Sequence, residues 1–301
     1  MAASPAYDGL HGELLECSAR VIAAAGDSDL VFVGRSATSV HDLLRGALRL
    51  TSWWARLHLL PLSLPGRGAA KGLSETHTRS LRNHLRLHGL HPRRILSARP
   101  LALVDLCCSG STFENLALVL GQWSASLGIE SDEWARKVRY VCVVHRWFRE
   151  FVADWRPGMR PSLVAEVVVP GRLWNYLADR QEKPAPSYDL DRWGEPVLGS
   201  EPTDEQVRAR RLSRDLYDFG ASKRGRRRLL AHMERQRSPS AVCGALIREL
   251  RRHCRASSRR ARWPAQRAYR SLAERGRSPT GLRYSAAPTR APNARFNASA
   301  P

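Results

Sequence analysis

The first 170 residues alternate short apolar runs with stretches in which apolar residues recur at helical spacing. Runs such as DLVFVG (29–34) and LALVDL (101–106) are rich in branched and aliphatic side chains, which is typical of strands buried on both faces. Apolar residues in SVHDLLRGALRL (39–50) instead recur every three or four positions, as on one face of a helix. The predicted strands are 29–34, 55–64, 101–106, 138–146 and 163–171, and the predicted helices are 9–25, 39–50, 74–87 and 111–128.

Strands separated by helices in this rhythm predict an α/β fold with a mostly parallel sheet flanked by helices on both faces. We assign residues 1–200 to this domain. The pattern then changes to basic amphipathic helices, which we interpret as a helical extension over 201–256. Residues 257–301 are rich in Arg, Ser, Pro and Ala with little periodicity, and we expect a disordered tail there.

The positive charge of the chain is concentrated in its last third. The formal net charge is +21, yet residues 1–200 carry 24 basic and 20 acidic side chains, whereas residues 201–301 carry 25 and 8. Nearly all basic residues are Arg, a bias that GC-rich coding also produces. On sequence grounds alone we therefore do not favour nucleic acid as a partner, although basic helices of this kind are compatible with one.

The cysteines and the apolar stretches indicate the compartment. Six Cys residues occur without a CxxC pair or a His at zinc-finger spacing, which is typical of reduced thiols. No run of about 18 apolar residues is present, and the first 16 residues contain three acids where a secretory leader would be basic and apolar. We expect a cytoplasmic protein that has no membrane partner, and the oligomeric state stays open.

The segment LALVDLCCSGSTFENL (101–116) combines a buried strand, one carboxylate and a loop of small residues that leads into a helix. Ligands of parallel α/β sheets bind at the carboxyl ends of strands, which is where Asp105 falls. Backbone N–H groups and hydroxyls of the loop suit a phosphate at the helix N-terminus, and a carboxylate suits sugar hydroxyls. A plain helix N-cap by Ser109 or Ser111 would explain the loop without any ligand.

This segment resembles the signature of type I phosphoribosyltransferases, in which an apolar strand is followed by two acidic residues and a loop ending in Thr-Gly-x-Thr or a close variant. SGST (109–112) matches that ending, and Asp105 matches the second acid. Val104 stands at the first acidic position, and Cys108 stands where some purine-specific members carry a catalytic Asp. The resemblance implies that the ribose and 5′-phosphate of phosphoribosyl pyrophosphate contact Asp105, Cys107, Cys108, Ser109, Gly110, Ser111 and Thr112.

Two other loops match the family by position, so that the resemblance spans roughly residues 27–170. The loop after the first predicted strand corresponds to the one that binds pyrophosphate through backbone amides, and its candidate residues are Gly34, Arg35, Ser36 and Thr38. The segment PGRGAAKG (65–72) corresponds to a mobile hood, in which Arg67 and Lys71 could neutralise the leaving pyrophosphate. Mg²⁺ would accompany the substrate, held largely by substrate oxygens and water.

The resemblance implies a phosphoribosyltransferase that moves the 5-phosphoribosyl group from phosphoribosyl pyrophosphate to an unidentified acceptor. Val104 instead favours a non-catalytic member of the same fold that senses a nucleotide and contacts a partner or nucleic acid through its basic helices. A third alternative is a different α/β protein that binds a sugar phosphate or nucleotide. The residues assign no catalytic group and no metal ligand.

Some residues with chemical potential have plain structural interpretations. The histidines of the third helix region, of which His84 and His88 lie one turn apart, lack a third ligand, and we interpret them as surface residues. Cys107 and Cys108 are interpreted as small packing residues of the loop. Four aromatic residues after the last strand could stack on an acceptor ring or cover the sheet: Trp174, Tyr176, Tyr188 and Trp193.

Overall fold

The computed structural model describes residues 5–64, 69–148, 163–181, 203–236 and 241–255. These residues contain one five-stranded sheet, and all four neighbouring strand pairs are parallel. The predicted α/β class with a helix-flanked parallel sheet is therefore confirmed. The strands are β1 (Asp29–Val33), β2 (Leu57–Leu60), β3 (Leu101–Leu106), β4 (Val138–His145) and β5 (Val164–Val169), in the order β2-β1-β3-β4-β5.

Ten α-helices accompany the strands within the described ranges. They are α1 (Pro5–Ala25), α2 (Thr38–Ala47), α3 (Glu75–Leu87), α4 (Pro92–Ser97), α5 (Ser111–Ser126), α6 (Ser131–Ala135), α7 (Gly171–Asn175), α8 (Asp204–Ala221), α9 (Lys223–Glu234) and α10 (Ala241–Arg255). A π-helical turn, Tyr176–Arg180, continues directly from α7. The predicted tail over 257–301 lies outside the described residues.

The sheet divides the core into two apolar clusters, because alternate side chains of each strand point to opposite faces. Phe32 and Val104 belong to the cluster beneath α1, α2 and α7, whereas Val31 and Leu103 belong to the cluster beneath α3, α4, α5 and α6. The strands are buried on both sides, as their continuous apolar runs predict.

The predicted second strand is shorter than its apolar run. A 3-10 helix covers Ser52–Arg56, and β2 ends at Leu60 immediately before Pro61. Proline has no backbone N–H to give to a neighbouring strand, which explains why pairing stops there. Leu62 and Leu64 beyond it are still buried in the α5-side cluster, so the apolar pattern records burial and not strand pairing.

The helices after residue 203 pack onto the sheet domain. Leu216 of α8, Leu229 of α9 and Leu246 of α10 are buried in the same apolar cluster as α1 and α2. The axes of α2 and α8 approach closely at Gly46 and Gly220, where each glycine faces backbone of the other helix. The basic helices therefore carry a buried apolar face, and most of their charged side chains lie on the outside, whereas Arg226 of α9 is buried.

His84 is a correction to the sequence interpretation. Its side chain is only 4% exposed, and Nε2 donates a hydrogen bond to the Pro61 carbonyl at 2.6 Å. The imidazole fills the space between α3 and the chain that leaves β2, next to the apolar residues Leu81 and Leu85. The predicted surface position is wrong because a neutral imidazole that donates to a carbonyl can be buried at little cost.

This burial gives the stability of the fold a pH dependence. Burial lowers the pKa of His84 below its ordinary value of 6.5, although the hydrogen bond to Pro61 opposes the shift. The unfolded chain then binds the proton more readily than the folded one, so the free energy of unfolding falls as pH drops below about 6.5. We expect His84→Gln, which keeps a donor for Pro61, to reduce this slope in urea unfolding between about pH 7 and pH 5.

The matched control for this prediction is His77→Gln, on the same helix. Its side chain is half-buried in the first turn of α3, whereas His84 is buried near the end of the helix. Equal pH slopes for the wild type and His84→Gln would contradict the prediction.

Candidate functional site

The candidate site lies at the carboxyl ends of β1 and β3. Successive strands are added on one side of β1 first and on its other side afterwards, so the strand order reverses between these two strands. The chain goes from β1 outward to β2 and then returns past β1 to β3. The helix after β1, α2, packs on one face of the sheet, and the helix after β3, α5, packs on the other. In open parallel sheets, such an arrangement creates a crevice between the two loops, and ligands bind there.

Two of the loops singled out in the sequence begin side by side at this crevice. Phe32 of β1 pairs with Val104 of β3 in the last registered position, so Asp105 follows at the level of Val33 and Leu106 at the level of Gly34. Neighbouring strands are about 4.8 Å apart, which places the starts of both loops within reach of one small ligand. The two loops therefore begin side by side in the structure.

Asp105 is the last acidic residue before the second loop. It is 8% exposed, and Oδ1 accepts a hydrogen bond from the backbone N–H of Leu106 at 2.7 Å. It lies on the α5 side of β3 by strand alternation. This local bond fixes the orientation of the carboxylate at the mouth of the crevice, where it can accept hydrogen bonds from hydroxyl groups.

The loop from 107 to 112 ends in an unusual start to α5. Gly110 is the N-cap residue, adopts φ 72° and offers no side chain to cap the helix. A side chain with Cβ would be strained in this left-handed conformation, which accounts for glycine here. Because no cap side chain satisfies the first backbone N–H groups of this 16-residue helix, its N-terminus keeps donors and positive partial charge for an anion.

The side chains of this loop divide into a buried and an accessible set. Cys107 is buried, and burial together with a hydrogen bond to Cys142 raises the pKa of its thiol well above the ordinary value. It therefore remains a protonated packing residue, as predicted. Cys108 is exposed, so its interpretation as a packing residue is wrong. Ser109 donates a hydrogen bond to Ser111 at 3.2 Å.

The loop after β1 is held by Gln181, a residue that the sequence analysis did not select. Its amide is 3% exposed and directs Nε2 toward the carbonyls of Ser36 (2.6 Å), Arg35 (3.4 Å) and Leu177 (2.8 Å). Oε1 accepts a hydrogen bond from Ser39 at 2.6 Å, and that hydroxyl is also within 3.0 Å of the Tyr176 hydroxyl. We call Gln181, Tyr176 and Ser39 the loop clamp.

The loop clamp determines which way the backbone N–H groups point. The peptide unit is planar and trans, so its N–H points opposite to its carbonyl. With the carbonyls of Arg35 and Ser36 drawn toward Gln181, the N–H groups of Ser36 and Ala37 face away from it. Successive backbone N–H groups that point the same way can bind an anion.

The predicted role of Thr38 changes in the structure. Its hydroxyl donates to the Arg35 carbonyl at 2.8 Å, and the residue is buried. That hydrogen is used inside the loop, so Thr38 supports the turn and does not offer it to a ligand. Gly34, with φ 71°, makes the sharp departure from β1, and Arg35 and Ser36 are half-buried at the crevice.

Asn115 fastens the segment proposed as a hood. Its side chain is fully buried in α5, Oδ1 accepts from the N–H of Ala70 at 3.2 Å, and Nδ2 donates to the carbonyl of Leu64 at 3.4 Å. Both ends of this segment are therefore attached to the helix that follows the 107–112 loop. Lys71 is exposed next to this attachment, and Arg67 lies outside the described residues.

The acidic groups near the crevice are few. Val104, at the position where the resembled family has its first acid, is fully buried in the α2-side core. Glu114 stands in the first turn of α5, and one of its carboxylate oxygens is buried without a hydrogen-bond partner. The described residues contain no group of three or more His, Cys, Asp or Glu side chains arranged to hold a metal ion.

An aromatic cluster lies at the carboxyl end of β4, one strand beyond β3. Phe148 stacks on Trp174 with ring centroids 4.8 Å apart, and His145 lies edge-on to Trp147 at 5.2 Å. Trp147 is 71% exposed, which is unusual for so large an apolar side chain. Of the aromatic residues selected in the sequence, Trp174 joins this cluster and Tyr176 joins the loop clamp, whereas Tyr188 and Trp193 lie outside the described residues.

Sequence reasoning missed Gln181, Asn115 and the His145–Phe148 aromatic segment. The aromatic segment was visible as HRWF directly after a strand, at the sheet edge where ligands bind. No local signal marks a single amide as a clamp, because its partners lie about 140 residues away in the chain.

Comparison of this chain with protein-family models, with curated proteins and with solved structures finds no match. Among the helices that the structure describes, none has the length and apolar content needed to cross a membrane.

Proposed function

We propose that this protein binds phosphoribosyl pyrophosphate in the crevice between β1 and β3 and transfers its 5-phosphoribosyl group to an acceptor. The observation that carries the proposal is the meeting of two loops with outward N–H groups on either side of one oriented carboxylate. A sugar that bears a phosphate at one end and a pyrophosphate at the other matches such a site. The resemblance in the sequence of β3 and its loop supports the same substrate.

Each part of the crevice has a role under this proposal. The uncapped start of α5, with Gly110, Ser111 and Thr112, binds the 5′-phosphate through N–H groups and hydroxyls. Asp105 accepts hydrogen bonds from the ribose hydroxyls and fixes the ring. The N–H groups of Ser36 and Ala37 bind the pyrophosphate, where charge accumulates as it leaves.

The transfer breaks the bond between the anomeric carbon and a pyrophosphate oxygen, which keeps the bonding electrons. A lone pair of the acceptor forms the new bond to that carbon, and the acceptor loses its proton to water. This chain supplies orientation and exclusion of water for the step. Lys71 is exposed beside the contact between Ala70 and Asn115, and under this proposal its ammonium group neutralises charge on the leaving group.

Mg²⁺ fits this site as an ion carried in by the substrate. Mg²⁺ is usually held by one or two carboxylates together with substrate phosphates and water. Asp105 and Glu114 are the carboxylates at the two ends of the 107–112 loop, and Glu114 has an oxygen without a hydrogen-bond partner. When bound, the ion would neutralise charge on the departing pyrophosphate.

The acceptor site under this proposal is the aromatic cluster at the end of β4. Trp147 offers an exposed face next to the strand that carries Asp105, and a planar ring could stack on it.

The alternative function, a non-catalytic nucleotide sensor of the same fold, is favoured by one observation. The first acidic position of the resembled signature is occupied by Val104, which is fully buried in the core. Asp105 is therefore the only acid of the pair. Release of pyrophosphate in the presence of acceptors would indicate the transferase, and binding without release would indicate the sensor.

The test is calorimetric titration of phosphoribosyl pyrophosphate with Mg²⁺ into the full chain and into Asp105→Ala. We expect saturable binding by the wild type and at least about tenfold weaker binding by the variant, which corresponds to about 1.4 kcal/mol. The loss follows from the ribose hydroxyls that no longer have an acceptor.

Glu133→Ala is the matched control for this titration, because Glu133 is an exposed acid of α6, the helix that leads into the amino end of β4, whereas the crevice lies at the carboxyl ends of the strands. It should bind like the wild type. A folded wild type that does not bind phosphoribosyl pyrophosphate would refute the proposed function.

A further inference from the structure

Helix α10 has an apolar inner face and an arginine outer face. Cys243, Leu246, Ile247, Leu250 and Cys254 are buried in the core on the α2 side of the sheet. Arg248, Arg251, Arg252 and Arg255 are exposed on the other side, and we call these four residues the arginine stripe. Their spacing of three and four residues aligns them along about 10 Å of the helix.

Most of the arginine stripe is not neutralised by acidic groups. Arg251 pairs with Glu234 at 2.8 Å, but no carboxylate of the described residues lies within 4.0 Å of Arg248, Arg252 or Arg255. The single acid of α10, Glu249, accepts hydrogen bonds from the backbone N–H and the hydroxyl of Ser52 instead. The carboxylate of Glu249 thus attaches α10 to the sheet domain and does not neutralise the stripe.

Further positive charge surrounds the end of the stripe. Helix α9, which packs into the same apolar cluster as α10, carries Lys223, Arg227 and Arg228 at exposed or half-buried positions. Beyond Arg255 the sequence continues with ten Arg and a single acid, Glu274. The positive charge of α10 is therefore part of a larger basic region.

The balance of acids and bases argues against coding bias as the cause of this charge. GC-rich coding replaces Lys with Arg, but it does not remove acidic residues. The same chain keeps 24 basic and 20 acidic residues over 1–200 and only 8 acids against 25 bases afterwards. The excess therefore depends on position along the chain and not on the codon preference of the chain.

Nucleic acid fits the arginine stripe better than a membrane does. An interfacial helix must present its apolar face to lipid, and the apolar face of α10 is already buried in the core. The large apolar side chains that are exposed in the described residues are Leu50, Leu87, Trp147 and Val207, none of them on α9 or α10. Guanidinium groups bind phosphate oxygens in pairs of hydrogen bonds, which suits a phosphate backbone.

We propose that the arginine stripe of α10 binds nucleic acid through its phosphate backbone, without reading its sequence. This surface is distinct from the crevice between β1 and β3, and it does not depend on the function proposed for that crevice. Backbone contacts of this kind give an affinity that falls steeply with salt concentration.

The test uses the full chain and a fluorescently labelled single-stranded RNA of about 20 nucleotides, a length that exceeds common single-strand site sizes. Binding is measured by anisotropy between about 50 and 200 mM salt. We expect Arg248→Gln/Arg252→Gln/Arg255→Gln to bind at least about tenfold more weakly than the wild type at low salt. The slope of log affinity against log salt should be smaller by about 2, since each lost phosphate contact removes about 0.7 for a single strand.

The matched control removes three exposed arginines of another helix, as Arg210→Gln/Arg211→Gln/Arg214→Gln in α8. Both variants retain the chain after residue 255, so its contribution is common to them. Equal loss in the two variants would show that net charge and not the stripe causes binding, and would overturn the proposal. Wild-type affinity in the stripe variant, or tighter binding to anionic vesicles than to RNA, would overturn it as well.

Discussion

Gly46→Ala is expected to lower the free energy of unfolding by about 3 kcal/mol, the upper part of the range for overpacked cores. A Cβ at Gly46 would lie 2.0 Å from the carbonyl oxygen of Tyr217, and a Cβ at Gly220 would lie 2.3 Å from that of Leu43. Both obstacles are helix backbone, which cannot turn aside as a flexible side chain can. The substitution therefore has to separate α2 from α8.

The measurement is urea unfolding of Gly46→Ala and of Gly72→Ala. Gly72 has no atom within 4 Å of the position where its Cβ would be, so alanine there should change stability by less than about 0.5 kcal/mol. Equal unfolding midpoints for Gly46→Ala and the wild type would contradict the close packing of the two helices.

Separation of α2 from α8 would also break a buried polar contact. Ser213 of α8 donates to Asp42 Oδ2 of α2 at 2.5 Å, and both residues are buried. A carboxylate left without this donor inside the core loses a charge-assisted hydrogen bond, which is worth more than a neutral one. Polar and apolar packing thus act together on the helix that follows the 34–37 loop.

Gln181→Leu is expected to weaken phosphoribosyl pyrophosphate binding by at least about tenfold and to lower the free energy of unfolding by about 2 kcal/mol. Leucine leaves the Ser36 carbonyl and the Ser39 hydroxyl without their amide partner in a buried place. Each such loss costs about 1–3 kcal/mol. Without the clamp, the peptide units of the loop can rotate, and their N–H groups no longer point toward the crevice.

Calorimetry with the same ligand and urea unfolding separate the two effects. Gln236→Leu is the control, since the amide of Gln236 donates at 3.3 Å to a carbonyl at the end of α9, away from the crevice. Unchanged affinity for phosphoribosyl pyrophosphate in a folded but destabilised Gln181→Leu protein would show that Gln181 stabilises the fold and does not orient the ligand-binding loop. If the wild type does not bind the ligand, the stability change still tests the clamp.

The sequence predicted the elements of the fold better than their arrangement. β3 begins and ends where the apolar run LALVDL does, and α5 begins at Ser111 as predicted, because strand burial and helix initiation depend on neighbours in the chain. The order β2-β1-β3-β4-β5 depends on long-range pairing, and local periodicity carries no information on it.

The candidate site likewise has residues that the sequence predicted and contacts that it did not. Asp105 and the small residues after it were selected because strand, carboxylate and loop are contiguous in sequence. The direction of the N–H groups of Ser36 and Ala37 depends on Gln181, and the burial of His84 depends on Pro61 in a different element. Such contacts arise only when distant segments pack, and a single sequence has no pattern that records them.

The glycine contact between α2 and α8 also determines where the chain can be divided. The change of composition near residue 200 indicates a boundary, yet α8 covers α2, and Leu229 of α9 and Leu246 of α10 complete the same cluster. A fragment that ended at residue 202 would expose that apolar face to water at about 25 cal/mol for each Å². A fragment that keeps this apolar cluster covered therefore extends through α10, and it contains both the arginine stripe and the crevice.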